Sequence, residues 1–414
     1  MGSAFHHLVL LSPSPHNAML MTHVADLSLS ADQSLVVGAL LDWVKTHPTP
    51  FMTVGGYAGT GKTTLTSILR GQLAEIYPRY RVAFACYTGK ASQVLKLKLQ
   101  QLHALRSKDY CGTVHSLMYT AVTGEDGKII RWKRNPELPF DLIVIDEASM
   151  ITSDIWKDLL AYQLPIIAIG DHGQLPPIES NFNLMESPEL RLETIHRQAK
   201  GNPIIEIATL ARETGQIPFQ SFGSNIIKID RRDPESTELC ETWLANTQVE
   251  TLVLCARNKT RIQLNTRIRQ LRGYESEVPQ VGETLICLKN NYEADGGPIY
   301  NGMLGTLLRL EVKYVHWYDI DLRFHDEQRV FTGEITQHQF FQEKTVDSVK
   351  GLHYTRIGDR FDFGYALTVH KAQGSQAKRV VLFEEYAPYM SDEEWKRWLY
   401  TAVTRASEEL LIVR

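Results

Sequence analysis

The sequence of 414 residues predicts an α/β protein with two parallel sheets, one after the other along the chain. Two observations lead to this prediction: short continuous apolar runs alternate with helical segments, and the runs fall into two sets. Continuous apolar runs are typical of strands buried on both faces of a parallel sheet. Strands interleaved with helices indicate βαβ units. At about 150 residues per domain, the length favours two or three domains.

The apolar runs are the predicted strands of the two sheets. The first set comprises residues 52–54, 82–85, 142–145 and 166–169. The second set comprises residues 252–254, 380–383 and 410–413. An amphipathic helix over about residues 32–45 precedes them, with Ser30 as its N-cap and Gln33 as the capping-box partner.

Two stretches depart from this pattern and predict inserted β modules. Residues 282–360 carry alternating runs such as 312–317 and 320–324, separated by glycine-containing turn signals, which is typical of a small antiparallel sheet. Residues 119–140 centre on a polar turn at 123–128, which predicts a β-hairpin.

Composition excludes several classes of protein. No apolar run approaches the roughly 18 residues that a membrane span needs. The five cysteines are scattered without a C-x-x-C pair, so neither a disulfide framework nor a zinc site is predicted, and a reducing, cytoplasmic setting is expected. Residues 1–26 lack a basic start and a secretory apolar core, and we expect a flexible segment there. The formal charge of −4 by itself argues mildly against a nucleic-acid binder.

Residues 56–63 read G-Y-A-G-T-G-K-T and fit the P-loop pattern G-x-x-x-x-G-K-[ST]. They follow a predicted strand and precede a helical stretch, which is the context that the motif requires. Glycines allow successive backbone N–H groups to point at phosphate oxygens, next to a helix N-terminus. Lys62 would reach the β- and γ-phosphates, and the Thr63 hydroxyl would hold Mg²⁺. The predicted nucleotide-binding residues here are Gly56, Ala58, Gly59, Thr60, Gly61, Lys62, Thr63 and Thr64.

Asp146 and Glu147 end the apolar run 142–145 and form a candidate catalytic pair. A carboxylate at the C-terminal end of a strand beside a P-loop is placed to bind Mg²⁺ through its water shell, which is the predicted role of Asp146. Glu147 would orient or deprotonate the attacking water. The alternative is an ordinary helix N-cap region before residues 153–160.

Further motifs follow in a fixed order along the chain. They are residues 87–91 (Y-T-G-K-A), 113–116 (T-V-H-S), 146–150 (D-E-A-S-M), 170–177 (G-D-H-G-Q-L-P-P), 192–197 (L-E-T-I-H-R), 368–375 (T-V-H-K-A-Q-G-S) and 400–406 (Y-T-A-V-T-R-A). Together with the P-loop, this series resembles the superfamily 1 helicases of the RecD-like branch, over nearly the whole chain after residue 27. The departure is Gln376, which stands where these proteins often carry glutamate.

The resemblance implies two RecA-like P-loop domains, with a β-hairpin insert in the first and an SH3-like β insert in the second. The implied boundaries are 27–118 and 141–198 for the first domain, 119–140 for the hairpin, 199–281 and 361–414 for the second domain, and 282–360 for its insert. It also implies catalytic roles for Lys62, Glu147, Gln174, Arg197 and Arg405, the two arginines meeting γ-phosphoryl oxygens. Gln33 would read adenine, although its capping role is an equal alternative.

The same resemblance places single-stranded DNA against the motifs that are not in the ATP site. The implied DNA contacts are Thr88, Gly89, Lys90, Thr113, His115, Ser116, Asn258, Thr368, His370 and Lys371. For Asn258, a simple turn at the strand end is an equal alternative. A local basic track would explain the acidic total charge; it would also include Lys96, Lys98, Lys378, Arg379 and the cations of 128–134. In the hairpin, Trp132 or Ile130 would separate the strands, and the alternative for Trp132 is packing of the hairpin against its domain.

The implied function is that of an ATP-dependent DNA helicase, an ATP hydrolase that uses ATP and Mg²⁺ and moves 5′-to-3′ on single-stranded DNA. Its implied partners are single-stranded DNA and single-strand/duplex junctions, with single-strand-binding or replication proteins as candidates. A monomer without membrane contact is expected. The alternatives are a non-unwinding ATPase subunit stimulated by single-stranded DNA, an RNA helicase, and a small-molecule P-loop kinase.

Overall fold

The computed structural model describes residues 29–123, 129–177, 182–195, 202–246, 251–291, 294, 297, 299–325, 329–353, 357–386 and 390–414. The N-terminal segment predicted at 1–26 and the predicted catalytic Arg197 lie outside these residues. Within the described part of the chain, no helix combines the length and the apolar character that crossing a bilayer requires.

The first half of the chain contains a parallel sheet with helices on both faces. Its elements are α1 (Ala31–Thr46), β1 (Phe51–Gly56), α2 (Lys62–Ile76), β2 (Val82–Cys86), α3 (Gly89–Gln101), β3 (Tyr110–Thr113), α4 (Val114–Met118), β4 (Tyr119–Thr123), β5 (Ile129–Arg134), β6 (Leu142–Asp146), α5 (Ser153–Leu160), β7 (Ile166–Gly170) and β8 (Leu190–Leu192). The sheet order is β3-β2-β6-β7-β1-β8, and its strands pair in parallel.

Strand β6 shows why the apolar runs form this sheet. All of its residues are buried, and successive side chains point to opposite faces. Leu142 and Val144 join the core that contains α1 and α2, whereas Ile143 and Ile145 join the core that contains α5. A strand with helices on both faces needs apolar residues at every position, as its sequence has.

The second half contains another largely parallel sheet. Its elements are α6 (Pro203–Thr214), β9 (Ser221–Phe222), β10 (Ile226–Ile229), α7 (Pro234–Ala245), β11 (Thr251–Cys255), α8 (Asn258–Leu271), β12 (Thr284–Cys287), β13 (Leu304–Lys313), β14 (Trp317–Phe324), β15 (Val330–Thr336), β16 (Phe361–Phe363), β17 (Ala366–Thr368), β18 (Ala377–Phe383), α9 (Asp392–Val403) and β19 (Ala406–Val413). The order is β17-β11-β18-β19-β10-β9, with only the β9–β10 pair antiparallel.

An antiparallel five-stranded sheet, β15-β14-β13-β12-β16, is inserted between β11 and β17. Strand β16 belongs to this sheet, which therefore extends past residue 360. The strand predicted over 312–317 is wrong, because β13 ends at Lys313 and Tyr314 adopts a left-handed φ of 66° in a turn. Buried ion pairs tie the insert to α8: Arg261 Nη1 lies 2.7 Å from Asp362 Oδ2, and Arg269 Nε lies 2.8 Å from Glu283 Oε1.

The five cysteines are unpaired, and none of them is exposed. Burial raises the pKa of every one of these thiols, to about 11 for Cys111 and Cys240 and to about 12 for Cys255 and Cys287. The pKa of Cys86 is also raised by burial, well above its usual range. The expectation of a chain without disulfides agrees with this arrangement.

Candidate nucleotide and nucleic-acid sites

The P-loop connects β1 to α2. Gly59 and Gly61 adopt positive φ values of 82° and 77°, a region that side chains with a Cβ avoid, so glycine suits both positions. Lys62, the first residue of α2, donates from Nζ to the carbonyl oxygens of Gly56 at 2.7 Å and Tyr57 at 3.1 Å. The ammonium group therefore lies over the loop, between a strand and a helix N-terminus, as the motif predicts.

Gln33 contacts the P-loop and also caps its own helix. Its side-chain oxygen accepts from the Ser30 N–H at 3.1 Å, and Ser30 completes the capping box. Its side-chain nitrogen donates to the Thr60 carbonyl oxygen at 3.1 Å. The predicted capping role is confirmed. The side chain is only 2% exposed and lies at the P-loop, where a role toward adenine stays a prediction.

Asp146 and Glu147 stand at the C-terminal end of β6. Burial raises the pKa of Asp146 to about 6, with a further contribution from the adjacent Glu147 carboxylate. Glu147 adopts a left-handed φ of 55°, a conformation that is uncommon outside glycine. The alternative of a simple helix cap loses support, because Thr152 and not this pair precedes α5.

Two buried carboxylate or amide oxygen atoms in this region have no hydrogen-bond partner among the residues that the structure describes. They are Glu147 Oε2 and Gln174 Oε1. Buried polar atoms are normally hydrogen-bonded, so unsatisfied acceptors near a P-loop suit a bound water or a hydrated cation. Hard oxygen donors of this kind are what Mg²⁺ prefers, so the residues present fit the predicted metal.

Asp171 is a site residue that the sequence prediction did not assign. It is 1% exposed, and its Oδ2 atom accepts from the Tyr400 hydroxyl at 2.7 Å and lies 3.8 Å from Lys62 Nζ. Its Oδ1 atom accepts from the Gly173 N–H at 2.9 Å. The sequence did contain a signal for this residue, since Asp171 is the second residue of the motif 170–177, which also contains Gln174.

Residues of the second half of the chain contact the P-loop directly. The Tyr400 hydroxyl accepts from the Ala58 N–H at 2.7 Å. The Arg212 guanidinium carbon of α6 lies 3.9 Å from the ring centroid of Tyr57, which is a cation–π contact. Two further bonds join the halves at Leu175: its N–H donates to Thr401 Oγ1 at 2.9 Å, and its carbonyl oxygen accepts from Gln373 Nε2 at 2.6 Å.

Arg405 is 2% exposed and is bonded within the second half. Its Nε donates to the Thr401 carbonyl oxygen at 3.0 Å, and its Nη1 donates to the Ser375 carbonyl oxygen at 3.1 Å. Its Nη2 donates to Thr404 Oγ1 at 3.2 Å. The structure therefore does not bring Arg405 into contact with Lys62, and its role toward phosphate stays a prediction.

The predicted DNA-contacting residues lie at element ends, in both halves. Thr88 and Thr113 are the N-caps of α3 and α4, so Gly89, Ser116 and His115 lie in first turns; nothing is described of the Lys90 side chain. Thr368 ends β17, with His370 and Lys371 just after it, and Asn258 begins α8. The two surfaces meet at Gly374, where a Cβ atom would come within 2.9 Å of Thr88 Cγ2.

Strands β4 and β5 form the predicted hairpin, with Ala121 opposite Trp132. The side chains of Trp132 and Ile130 lie outside what the structure describes, so the strand-separating role stays a prediction. Arg134 is engaged with the first half, because its Nη1 lies 3.2 Å from Asp158 Oδ1.

Arg379, another cation of the predicted basic track, also contacts neighbouring side chains. Its Nε lies 3.2 Å from Glu409 Oε2, and its guanidinium carbon lies 4.0 Å from the ring centroid of Trp243. Like Arg134, it is held by neighbouring side chains. Ion pairs of partly exposed side chains are weak, so the role of these two cations toward nucleic acid stays a prediction.

Comparison with known proteins shows which families the chain resembles. Residues 28–226 match the family model described as an AAA domain, and residues 363–413 match the UvrD-like helicase C-terminal domain. These matches agree with the predicted resemblance to superfamily 1 helicases of the RecD-like branch. It is 27% identical over 403 residues to the ATP-dependent RecD2 DNA helicase of Deinococcus radiodurans, covering 92% of this chain and 48% of that protein. The chain thus spans about half the length of that relative.

Two further comparisons agree. The chain is 24% identical over 433 residues to the ATP-dependent DNA helicase dda of phage T4, covering 87% of this chain and 94% of that protein. Among solved structures, two coordinating Pif1 helicases at forked double-stranded DNA share the fold with a TM-score of 0.50 and 17% identity, over 93% of this chain and 92% of that chain. The predicted α/β class with RecA-like domains is confirmed.

Proposed function

We propose that this chain is an ATP-dependent DNA helicase that translocates 5′-to-3′ on single-stranded DNA. The observation that supports this most strongly is that both halves of the chain meet at the P-loop. Tyr400, from the second half, bonds both Ala58 and Asp171 of the first half. A nucleotide site built by two domains changes shape with its contents, which a motor requires and a simple kinase does not. The names of the relatives support DNA as the polymer along which the protein moves. The direction of translocation rests on resemblance alone.

ATP would bind on the P-loop. Its γ-phosphate would lie in the cleft between the two halves of the chain. Lys62 would exchange its bonds to loop carbonyls for β- and γ-phosphate oxygens. Thr63 and Asp146 would hold Mg²⁺, which shields phosphate charge when it is bound. Glu147 would orient or deprotonate the attacking water, and Gln174 would contact that water and the γ-phosphate.

Arg405 would complete the site from the second half. Its guanidinium now bonds the carbonyl oxygens of Thr401 and Ser375. In the closed cleft it would exchange these for γ-phosphoryl oxygens, a step that Arg197 would share. Such arginines contribute about 10³–10⁵ in rate.

Translocation would follow from the changing distance between the halves. Thr88 and Thr113 lie in the first half, whereas Lys371 lies in the second, so closing the cleft moves one set of DNA contacts along the strand relative to the other. We propose that the protein works as a monomer on single-stranded DNA and on junctions, in the cytoplasm, with single-strand-binding or replication proteins as its protein partners.

A tailed-duplex assay tests the function and its direction. We expect ATP-dependent unwinding of a duplex with a 5′ single-stranded tail, and none of a duplex with a 3′ tail. The matched control is Glu147→Gln, which should bind ATP and DNA but lose about 10²–10⁴ of the hydrolysis rate and all unwinding. Unwinding from the 3′ tail alone would overturn the direction. ATP turnover stimulated by DNA without any unwinding would instead identify an ATPase subunit, and unwinding of RNA alone would identify an RNA helicase.

A further inference from the structure

A turn of the antiparallel insert lies between the two predicted DNA-binding surfaces. The ring centroids of Tyr300 and His115 are 5.2 Å apart, with their planes inclined by 37°. The neighbouring Asn301 accepts from Lys371 Nζ at 2.7 Å. The insert therefore contacts one predicted DNA residue from each half of the chain, through two consecutive side chains.

This turn, residues 299–303, is held in place by its own hydrogen bonds. The Asn301 N–H donates to Asn290 Oδ1 at 2.7 Å, and the Gly302 N–H donates to the Cys287 carbonyl oxygen at 2.8 Å. Gly302 adopts a φ of 95°, which glycine tolerates and other residues avoid. The position of Tyr300 is therefore set by the backbone of the insert as well as by its contact with His115.

His115 belongs to a group of aromatic rings in the first half. Tyr87 lies 6.0 Å from its centroid, and Tyr119 lies 6.3 Å from it in a stacked orientation. Burial lowers the pKa of His115, so its ring is uncharged at neutral pH and offers a face, not a charge. Aromatic faces with a lysine beside them are the combination that binds single-stranded nucleic acid without reading its sequence.

We propose that Tyr300 and His115 form a base clamp, in which one nucleobase of single-stranded DNA stacks between the two rings while Lys371 binds an adjacent phosphate. This inference rests on the proposed function, which it deepens by adding a stacking residue from the insert. The resemblance assigned His115 and Lys371 to DNA but assigned nothing to Tyr300.

The spacing of the rings couples the clamp to the nucleotide site. A base between two rings needs about 7 Å, twice the roughly 3.4 Å rise of stacked bases. The present separation is 5.2 Å, so the rings must part by about 2 Å. Because His115 belongs to the first half and Tyr300 to an insert tied to the second, movement at the cleft changes this distance. The clamp therefore opens and closes with the nucleotide cycle.

The test combines single abasic sites with variants of Tyr300. A forked duplex with a 5′ tail fixes the register of the strand, and one abasic site is placed at each tail position in turn. Affinity is measured by fluorescence anisotropy. Since base–aromatic stacking is worth about 1–3 kcal/mol, we expect one tail position at which the abasic site weakens binding about 5- to 150-fold. Tyr300→Ala should abolish that penalty, Tyr300→Leu should also abolish it while keeping apolar volume, and Tyr300→Phe should retain it.

Two controls separate stacking from a structural contact. Tyr314→Ala alters a tyrosine of the same insert that is 75% exposed, and should leave the abasic profile unchanged. Tyr300→Ala should keep the salt dependence of binding, whereas Lys371→Ala should reduce its slope by about one. A wild-type protein that binds the fork with no sensitive position would overturn the clamp, as would a profile unchanged in Tyr300→Ala and Tyr300→Leu. Failure of the wild type to bind the fork at all would instead overturn the proposed function.

Discussion

The Tyr400 hydroxyl joins the two halves of the chain at the nucleotide site, and its removal is a specific test of that joint. It accepts from the Ala58 N–H and donates to Asp171 Oδ2, each at 2.7 Å. Burial raises the pKa of Tyr400 well above its usual range, so the hydroxyl stays protonated and remains a donor. Tyr400→Phe removes both hydrogen bonds while keeping the ring, which is 2% exposed.

The expected loss follows from what the two bonds contact. A hydrogen bond to a charged group contributes about 1.5–3 kcal/mol, and a neutral one about 0.5–1.5 kcal/mol. In the variant, Asp171 would still accept from the Gly173 N–H at 2.9 Å and lie 3.8 Å from Lys62 Nζ. We therefore use the lower part of the range obtained by adding the two hydrogen-bond contributions. We expect Tyr400→Phe to lower the free energy of unfolding by about 2–3 kcal/mol. ATP turnover should also fall, because α9 positions Arg405.

The assay is urea unfolding followed by circular dichroism, with ATP turnover measured in parallel. The matched control is Tyr386→Phe, which makes the same change at a side chain that is 45% exposed and whose hydroxyl lies 3.5 Å from the Met390 carbonyl oxygen. The control should change the unfolding free energy by less than about 0.5 kcal/mol. A Tyr400→Phe protein as stable and as active as this control would show that the hydroxyl does not couple the halves.

Two further predictions concern polar side chains, the partly buried Asp359 and the buried Gln33. Burial raises the pKa of Asp359 from 3.8 to about 6, so the folded state favours the protonated form and this group destabilises the fold increasingly as pH rises from about 4 to 6. Asp359→Asn should therefore be more stable than wild type by about 1–3 kcal/mol at pH 7.5 and equal to it near pH 4, by urea unfolding; a gain independent of pH would contradict this reasoning. Gln33→Ala should destabilise the protein more than Ser30→Ala does, since it removes a P-loop contact as well as the helix cap, and it should also raise the KM for ATP. Equal decreases of the melting temperature in Gln33→Ala and Ser30→Ala would show that only the helix cap contributes to stability.

The sequence predicted the central strands well and the short peripheral ones poorly. Strand β6 is apolar at consecutive positions because both of its faces are covered, and such a run can be read directly. Strands β3 and β8 have mixed composition and few residues, and they form because a neighbouring strand offers a free edge. The prediction over 312–317 failed because alternation alone does not reveal the left-handed turn at Tyr314.

The residues of the candidate site also divide into those that the sequence could predict and those that it could not. The positions of Lys62 at the P-loop and of Asp146 at a strand end could be predicted, because they depend on residues within a few positions. Contacts such as Tyr400 with Asp171, or Tyr300 with His115, join residues far apart in sequence, and only the topology of the two sheets brings them together. The failure to assign Asp171 had a different cause, since its motif was found but its neighbours in space were unknown.

The cysteines of this chain make it suited to site-specific chemistry. A thiol reacts with maleimides through its thiolate; four of these cysteines are buried and Cys111 is partly buried, and burial raises the pKa of each thiol. A cysteine introduced on an exposed position would be modified far faster than the native ones. Donor and acceptor dyes could therefore be attached to the insert and to the first half of an otherwise unaltered protein, and the opening of the cleft could be observed in single molecules.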